Sequence, residues 1–252
     1  MYSLAELFEK AVNNGSVGAK FFLGVMYQYA YGVEQDYSKA RKLYEESAAQ
    51  GNTFAQNNLG YMYANGLGVE KDYVKARELY EKAASQGHAF AQNNLGYMYQ
   101  HGQGVEQDYA KAKELYERAG ANGIVRAYYH LGEMYHFGQG VEKDYAKARE
   151  LYEKAAAHGD SSAQNNLGVM YEHGEGVVQD YVKAKYLYEL AASQGVAKAY
   201  YNLGEMYYNG RGVEKDYTKA AEYYEKAAAQ GDTDSQKRLT EMYEQGLIIK
   251  QR

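Results

Sequence analysis

Residues Ala55–Phe90 read AQNNLGYMYANGLGVEKDYVKARELYEKAASQGHAF, and close variants of this stretch fill the rest of the chain. The pairs Leu59-Gly60 and Asp72-Tyr73 each occur six times, always 36 residues apart. A period of about twenty to fifty residues indicates stacked supersecondary units, none of which can bury its apolar face alone. The interval therefore predicts a repeat solenoid rather than a globular enzyme.

The repeats continue without insertion or deletion, but the chain begins within a unit. Residues 1–18 match the second half of a repeat, residues 19–234 make six full repeats, and residues 235–252 match a first half. Because a stacked core grows with the number of repeats and needs no linker, we expect one continuous solenoid domain over residues 1–252.

Each unit is predicted to contain two helices, called helix A and helix B. Helix A has an apolar face with the spacing i, i+4, i+7 and i+8, formed by Ala55, Leu59, Met62 and Tyr63. Gly66 follows, and glycine readily adopts the positive φ that ends a helix. We therefore expect helix A to end at Gly66 and at its equivalents.

Helix B is predicted after a short loop. Asp72 carries the side-chain oxygen expected at an N-cap, and Gly87 follows the last helical residues. Glu78 and Lys82 stand at i and i+4, an arrangement typical of a water-facing surface. The opposite, apolar stripe consists of Tyr73, Ala76, Leu79, Tyr80, Ala83 and Ala84. We expect helix B to form the outer layer.

Composition argues against several classes of protein and partner. The net charge is −5 with acids and bases intermixed, so no basic stripe is available for phosphates and we expect no nucleic-acid partner. No stretch approaches the roughly 18 apolar residues of a membrane span, so we expect no membrane partner. We expect a soluble protein, cytoplasmic by default. A signal peptide removed before residue 1 would make it secreted, and the sequence leaves the compartment open.

Signatures of catalysis and of cofactor binding are missing from the sequence. Gly66-Leu67-Gly68 looks like part of a phosphate loop, but it follows a helix and returns in most units, so we interpret it as a helix terminator. None of the six histidines forms the pair with a glutamate that a zinc protease requires, and the chain has no cysteine. We therefore predict no catalytic residue, no metal, no cofactor and no enzyme activity.

The run A-x-x-N-L-G-x-M-Y, then G-x-G-V, then D-Y-x-K-A-x-x-L-Y-x-x-A-A-x-x-G resembles the SEL-one-like repeat, a slightly longer relative of the tetratricopeptide repeat. The resemblance covers nearly the whole chain and implies an all-α, right-handed superhelical solenoid of antiparallel helix pairs. It also implies an adaptor that binds proteins or peptides. The chain departs from many family members because it has no Pro and no Trp. Without cysteine, the β-lactam binding linked to the cysteine-rich branch is not carried over.

Four helix A positions vary between the repeats, and their spacing places them on one face, which we call the variable face. They are equivalent to positions 57, 61, 64 and 65, and the resemblance implies that they line a concave groove. The binding residues predicted on this face are Asn57, Tyr61, Asn65, Asn93, Tyr97, His101, Tyr129, Glu133, His136, Phe137, Asn165, Glu172, His173, Tyr201, Glu205 and Tyr208.

The residue types on the variable face indicate the ligand. Aromatic and amide side chains dominate its first half, a mixture typical of protein-binding surfaces. Acids enter from Glu133 onward, so we predict a protein or an extended peptide that is basic toward the C-terminal half of the solenoid. The neighbouring asparagines Asn58, Asn94, Asn166 and Asn202 are instead predicted to form structural hydrogen bonds with nearby backbone.

Two further surfaces interrupt the regular pattern. In the fifth full repeat Val178, Tyr186 and Leu190 replace charged residues, which predicts an apolar patch on the convex side, either a contact site or a tolerated drift. In the first full repeat Phe21 and Phe22 replace two asparagines. This aromatic pair predicts self-association through the N-terminal end.

The sequence leaves one alternative to a natural binding scaffold. The regular period and the absence of Cys, Pro and Trp are also compatible with an engineered or consensus-like repeat protein that has a purely structural role and no natural ligand. Irregular residues such as Gly120 and Val178 argue for a natural origin. Both readings predict the same fold.

Overall fold

The computed structural model describes residues 3–248, and this range contains fourteen α-helices and no β-strand. The helices are α1 (Leu4–Asn13), α2 (Val17–Tyr29), α3 (Tyr37–Ala49), α4 (Thr53–Asn65), α5 (Tyr73–Ser85), α6 (Ala89–His101), α7 (Tyr109–Ala121), α8 (Val125–Phe137), α9 (Tyr145–Ala157), α10 (Ser161–His173), α11 (Tyr181–Ser193), α12 (Ala197–Asn209), α13 (Tyr217–Ala228) and α14 (Thr233–Glu244). The predicted all-α solenoid of paired helices is confirmed.

The chain divides into two compact units, one up to Ala127 and one from Tyr128 onward, with α8 crossing the boundary. In the first unit the A helices α2, α4 and α6 pack on the B helices α3, α5 and α7. In the second unit α10 and α12 pack on α11 and α13 in the same way. Each B helix of these pairs also contacts the A helix on its other side when both belong to one unit, as α3 contacts α4 and α11 contacts α12.

Helix ends follow the residues that the sequence singled out. The Asp72 side chain accepts a hydrogen bond from the Lys75 backbone N–H at 3.0 Å, and the equivalent aspartate caps every other B helix from α3 to α13. Gly66 ends α4 at φ 69°, in the left-handed region. Ala30 occupies the equivalent position after α2 at φ 58°, although it is not glycine.

The apolar core lies where a B helix meets the two A helices beside it. Ala40 and Tyr44 of α3 are buried together with Leu59 and Met62 of α4, although these helices belong to consecutive repeats. Burying a Leu or Met side chain contributes about 1.5–3 kcal/mol, so each repeat stabilises the next. Within residues 3–248, no helix has both the length and the apolar character needed to cross a membrane.

Candidate functional site

The residues predicted on the variable face differ in how far their side chains are exposed to solvent. Tyr61, Tyr97 and Phe137 are exposed by 44%, 39% and 56%, so their rings are available to a ligand. Asn65, His101 and His173 are also exposed, whereas Asn57, Tyr129, Glu133, Tyr201, Glu205 and Tyr208 are half-buried. Asn93, His136, Asn165 and Glu172 are buried. The exposed members therefore lie at the positions equivalent to 61 and 65.

In the first, third and fifth full repeats, the residue at the position equivalent to 64 accepts a hydrogen bond from the buried tyrosine of helix B in the same repeat. The Tyr44 hydroxyl donates to Gln28 Oε1 at 2.7 Å, and the Tyr188 hydroxyl donates to Glu172 Oε2 at 2.6 Å. Burial, together with the Glu172 carboxylate, raises the pKa of Tyr188, so its hydroxyl remains a donor. Tyr116 makes the same bond to Gln100. These variable side chains therefore have structural partners inside the repeat.

Asparagines link one repeat to the next through their side chains. The Asn94 amide donates to Asn57 Oδ1 at 3.1 Å, Asn57 donates to Asn58 at 3.2 Å, and Asn58 donates to the Tyr44 hydroxyl at 3.3 Å. The same sequence of bonds joins Asn202, Asn165, Asn166 and Tyr152 in the second unit. The prediction of a backbone partner for these asparagines was wrong, because the facing groups are amides and a phenol of neighbouring helices.

Two acids of the variable face in the second unit already have arginine partners. Arg211 Nη1 lies 2.9 Å from Glu172 Oε1. Arg238 binds Glu205 through two bonds, from Nε to Oε1 at 2.7 Å and from Nη2 to Oε2 at 3.1 Å. The negative charge that suggested a basic ligand is therefore largely neutralised at these two residues. Glu133 differs, because its carboxylate accepts from the Tyr129 hydroxyl at 2.7 Å and lies 3.4 Å from His130 Nδ1.

The arginine partners lie outside the four variable positions, so sequence reasoning missed them. Arg211 follows Glu172 by 39 residues, and Glu175 follows His136, its neighbour at 3.1 Å, by the same interval. Both pairs join a helix A residue to the loop of the next repeat. A search for complementary side chains at this fixed offset could have identified these two pairs, but not Arg238, which follows Glu205 by 33 residues.

The apolar patch predicted in the fifth full repeat lies on α11 and the loop before it. Val178 is 89% exposed and Tyr186 is 60% exposed, whereas Leu190 is half-buried. Val182, which the sequence reasoning omitted, is 73% exposed and stands four residues before Tyr186 on the same helix. We call these four residues the outer strip. Glutamate replaces Val178 in every other full repeat, and a charged residue replaces Tyr186 and Leu190.

Aromatic rings also cluster near the start of the described chain. Phe22 is 53% exposed and stacks on Phe8 with ring centroids 5.8 Å apart, beside the exposed Leu4 and Leu7 of α1. Phe21 continues the cluster toward Phe54, at 5.7 Å between centroids. Among the residues described, no group of three or more His, Cys, Asp or Glu side chains is arranged to hold a metal ion.

Comparison with known proteins gives consistent results. The Sel1 repeat profile matches residues 17–52, 53–88, 89–124, 125–160, 161–196 and 197–232. A search of curated protein sequences gave no significant match. Among solved structures, a Sel1 repeat protein from Oxalobacter formigenes is 36% identical, with 84% of this chain and 85% of that chain covered and a TM-score of 0.79.

Two further structures are similar. The c5321 protective antigen of uropathogenic Escherichia coli strains, which displays an SLR fold, is 37% identical with a TM-score of 0.75. The match covers 98% of this chain and 53% of that one, so this chain spans about half its length. An immunity protein from Pseudomonas aeruginosa shares the fold at 23% identity, covering 86% and 83% of the two chains with a TM-score of 0.59. The chain therefore belongs to the Sel1 repeat family.

Proposed function

We propose that this protein is a non-catalytic scaffold that binds a protein or an extended peptide on the variable face of its A helices. Sel1 repeat proteins are typically protein-interaction scaffolds and are generally non-catalytic. The observation that carries the proposal is the exposure of Tyr61 and Tyr97 at the same position of consecutive repeats in the first unit. Large aromatic side chains dominate the binding energy of protein interfaces.

Polar groups between the tyrosines support an extended ligand. Asn65 and His101 are exposed beside Tyr61 and Tyr97, and the His101 ring lies 4.1 Å from the Tyr97 ring. The Asn65 amide donates to the Tyr61 carbonyl at 2.9 Å, which leaves its side-chain oxygen as an acceptor. Amides of this kind can pair with the peptide bonds of an extended chain, while the aromatic rings contact its side chains.

The charge of the proposed ligand depends mainly on Glu133 rather than on all the acids of the second half. Glu172 and Glu205 are each paired with an arginine, and a ligand cation would have to compete with these bonds. Glu133 is half-buried and accepts a hydrogen bond from Tyr129 at 2.7 Å. We therefore propose one basic ligand residue facing Glu133, and we expect Glu133→Gln to weaken the selection for basic residues.

A displayed peptide library tests the variable face. We expect enrichment on the unmodified protein and a loss of enrichment on the variant carrying Tyr61→Ala, Tyr97→Ala and Tyr129→Ala. Circular dichroism and thermal unfolding verify that the variant is folded. Equal enrichment on both proteins would reject the variable face. No enrichment on either would favour the alternative of an engineered, purely structural repeat protein without a natural ligand.

The outer strip is proposed as a second contact surface, because its exposed Val178 and Tyr186 stand where the other full repeats carry charges, and the exposed Val182 adds apolar area on the same helix as Tyr186. A double variant, Tyr186→Lys with Leu190→Glu, tests the outer strip. The variant carrying Tyr61→Ala, Tyr97→Ala and Tyr129→Ala is the comparison. Library clones that lose binding only to the Tyr186 and Leu190 variant would assign recognition to the outer strip. Clones unaffected by it would reject this surface.

The N-terminal aromatic cluster is proposed as the site of self-association. Phe22 is 53% exposed, and Leu4 and Leu7 are exposed beside it by 62% and 50%. Light scattering after gel filtration, over a range of concentrations, would compare the unmodified protein with Phe22→Asp. A larger species that Phe22→Asp converts to monomer supports the proposal, and a monomer at every concentration rejects it.

A further inference from the structure

A cavity of about 370 Å³ lies in the first unit, where the turns before α6 and α8 meet the start of α4. Its lining includes Phe54, Gln86, His88, Phe90, Asn122 and Ile124. None of its lining residues is an acid, a lysine or an arginine. Cavities of roughly 300–1,000 Å³ bind small molecules and side chains in other proteins, provided that a few polar groups fix the orientation of the occupant.

Two exposed phenylalanines form walls of this cavity. Phe54 and Phe90 are exposed by 56% and 58%. They occupy the same position in consecutive repeats, whereas Gly18, Ser162 and Lys198 stand at equivalent positions elsewhere. The Phe54 ring lies edge-on to His88 at 4.8 Å between centroids, and the Phe90 ring lies 6.2 Å from His88. The aromatic surface is therefore specific to this part of the chain and is centred on His88.

His88 lines the cavity and carries a ring N–H that has no hydrogen-bond partner among the described residues. Its Nδ1 accepts from the Ala91 backbone N–H at 3.2 Å as the N-cap of α6, so the ring proton is on Nε2. Nε2 is buried without a partner, and the residue is 9% exposed. Burial lowers the pKa of the His88 imidazole, which keeps it neutral. Asn52 caps α4 through its side-chain oxygen, so the cap alone does not require histidine.

Asn122 leaves room in the cavity because its side chain is short. At the equivalent position one repeat earlier, Gln86 Nε2 reaches Gln56 Oε1 at 3.3 Å. The Asn122 amide donates to the Arg118 carbonyl at 2.9 Å, just as Gln86 donates to the Lys82 carbonyl at 3.0 Å, but Gln92 Oε1, the acceptor equivalent to Gln56 Oε1, is buried without a partner. Asparagine is one methylene group shorter than glutamine, so the hydrogen bond that joins these side chains of neighbouring repeats is missing near His88.

We propose that this cavity binds an uncharged apolar side chain of a polypeptide ligand, of the size of leucine or phenylalanine, whose adjoining carbonyl accepts the His88 Nε2–H. The proposal rests on the proposed scaffold function for the origin of the ligand, but the cavity is separate from Tyr61 and Tyr97. The absence of charged lining residues favours an uncharged occupant over an acidic or basic one, because a charged side chain would find no oppositely charged partner in the lining.

The test uses N-acetyl-leucinamide and N-acetyl-phenylalaninamide as probes, titrated into the ¹⁵N-labelled full chain and followed by NMR. We expect saturable shift changes at the backbone amides of Gly87, His88 and Asn122, and weaker binding of the charged probe N-acetyl-aspartic acid α-amide, whose side-chain carboxylate is free. Phe54→Ala combined with Phe90→Ala should weaken binding by about tenfold or more, since two aromatic contacts are lost. Tyr31→Ala, which removes a ring that is 60% exposed and lies outside the cavity, is the matched control and should bind like the unmodified protein.

His88→Asn tests the position of the donor, because the asparagine oxygen keeps the helix cap while its amide N–H groups lie on a shorter side chain that does not reach the position of Nε2. We expect it to weaken binding by about threefold to tenfold, as loss of one hydrogen bond predicts. Unchanged binding by this variant would overturn the role of His88. Missing shifts at the cavity, or equal affinity of the Phe54 and Phe90 double variant, would overturn the site. The proposed function can also fail by itself. If the variant carrying Tyr61→Ala, Tyr97→Ala and Tyr129→Ala still binds the probes while the library selection fails, the proposed function is rejected and the cavity site is retained.

Discussion

The Tyr80 ring lies so close to Gly60 that a Cβ atom added to this glycine would meet Tyr80 Cε1 at 2.9 Å. Tyr80 is only 3% exposed, so its ring has little room to move. The same approach joins the helix A glycine and the helix B tyrosine in the other full repeats. This contact explains why glycine stands in the interior of a helix, where it costs about 0.5–1 kcal/mol relative to alanine.

Gly60→Ala should lower the free energy of unfolding by about 1–3 kcal/mol, because overpacking against Tyr80 outweighs the gain in helix propensity. Urea unfolding followed by circular dichroism measures the change. Gly18→Ala is the matched control, since Gly18 lies in α2 with no atom within 4 Å of its added Cβ. The control should be as stable as the unmodified protein or more stable. A stabilised Gly60→Ala would contradict the close contact.

Ala30→Gly should raise the free energy of unfolding by about 1 kcal/mol, because Ala30 adopts φ 58° at the end of α2 and an L-residue pays about 1–2 kcal/mol in the left-handed region. The reverse change, Gly66→Ala, places alanine at φ 69° with the nearest atom 3.6 Å from its Cβ. It should be destabilising by a similar amount, about 1 kcal/mol, through backbone strain. Thermal and urea unfolding of both variants measure the two effects, and changes of equal sign would be inconsistent with this cause.

His88→Asn should remove a pH dependence from the stability. Burial lowers the pKa of His88 in the folded state. In the unfolded chain the histidine has its ordinary pKa of about 6.5, so folding favours the neutral ring. The stability contributed by neutral His88 is therefore present above about pH 6.5 and is lost as the pH falls through this value toward the folded pKa. Protonation also removes the Nδ1 lone pair that caps α6.

The measurement compares urea unfolding at several pH values between about 7.5 and 5.5, across the range in which histidine titrates. The stability advantage of His88→Asn over the unmodified protein should grow as the pH falls. Asn52→His, which places the same cap on α4, should acquire the opposite behaviour and lose stability toward low pH. A constant difference between His88→Asn and the unmodified protein would exclude His88 as a source of the pH dependence.

Asn122→Gln should restore a missing bond between repeats and raise the free energy of unfolding by about 0.5–1.5 kcal/mol, the usual contribution of one hydrogen bond. Gln194 Nε2 donates to Gln164 Oε1 at 2.9 Å, which shows that glutamine has the required length at this position. The double variant Asn122→Gln, Gln92→Leu lacks the acceptor and serves as the control. If Asn122→Gln is equally favourable with and without Gln92, the gain does not come from this bond.

Much of the local structure could be predicted from the sequence. The Asp72 cap, the left-handed Gly66 and the helix bounds depend on residues within one or two turns, so a single repeat contains the necessary information. Depth on the variable face could not be predicted in this way. The spacing of positions 61 and 64 places both on one face, yet Tyr97 is 39% exposed and Gln100 is 2% exposed. The difference depends on Tyr116 of helix B, sixteen residues after Gln100, because the Gln100 side chain accepts a hydrogen bond from the buried Tyr116 hydroxyl.

The sequence by itself determined the repeat, its helix pairs and the family to which the chain belongs, because a period of 36 residues and its capping residues are local properties. Only the tertiary structure decided which variable residues remain available to a ligand. Glu172 is neutralised by Arg211 from the loop of the next repeat, 39 residues away, and His88 has an unpartnered Nε2 beside the exposed Phe54 and Phe90. Pairing and burial of this kind depend on contacts between repeats, which no single repeat encodes.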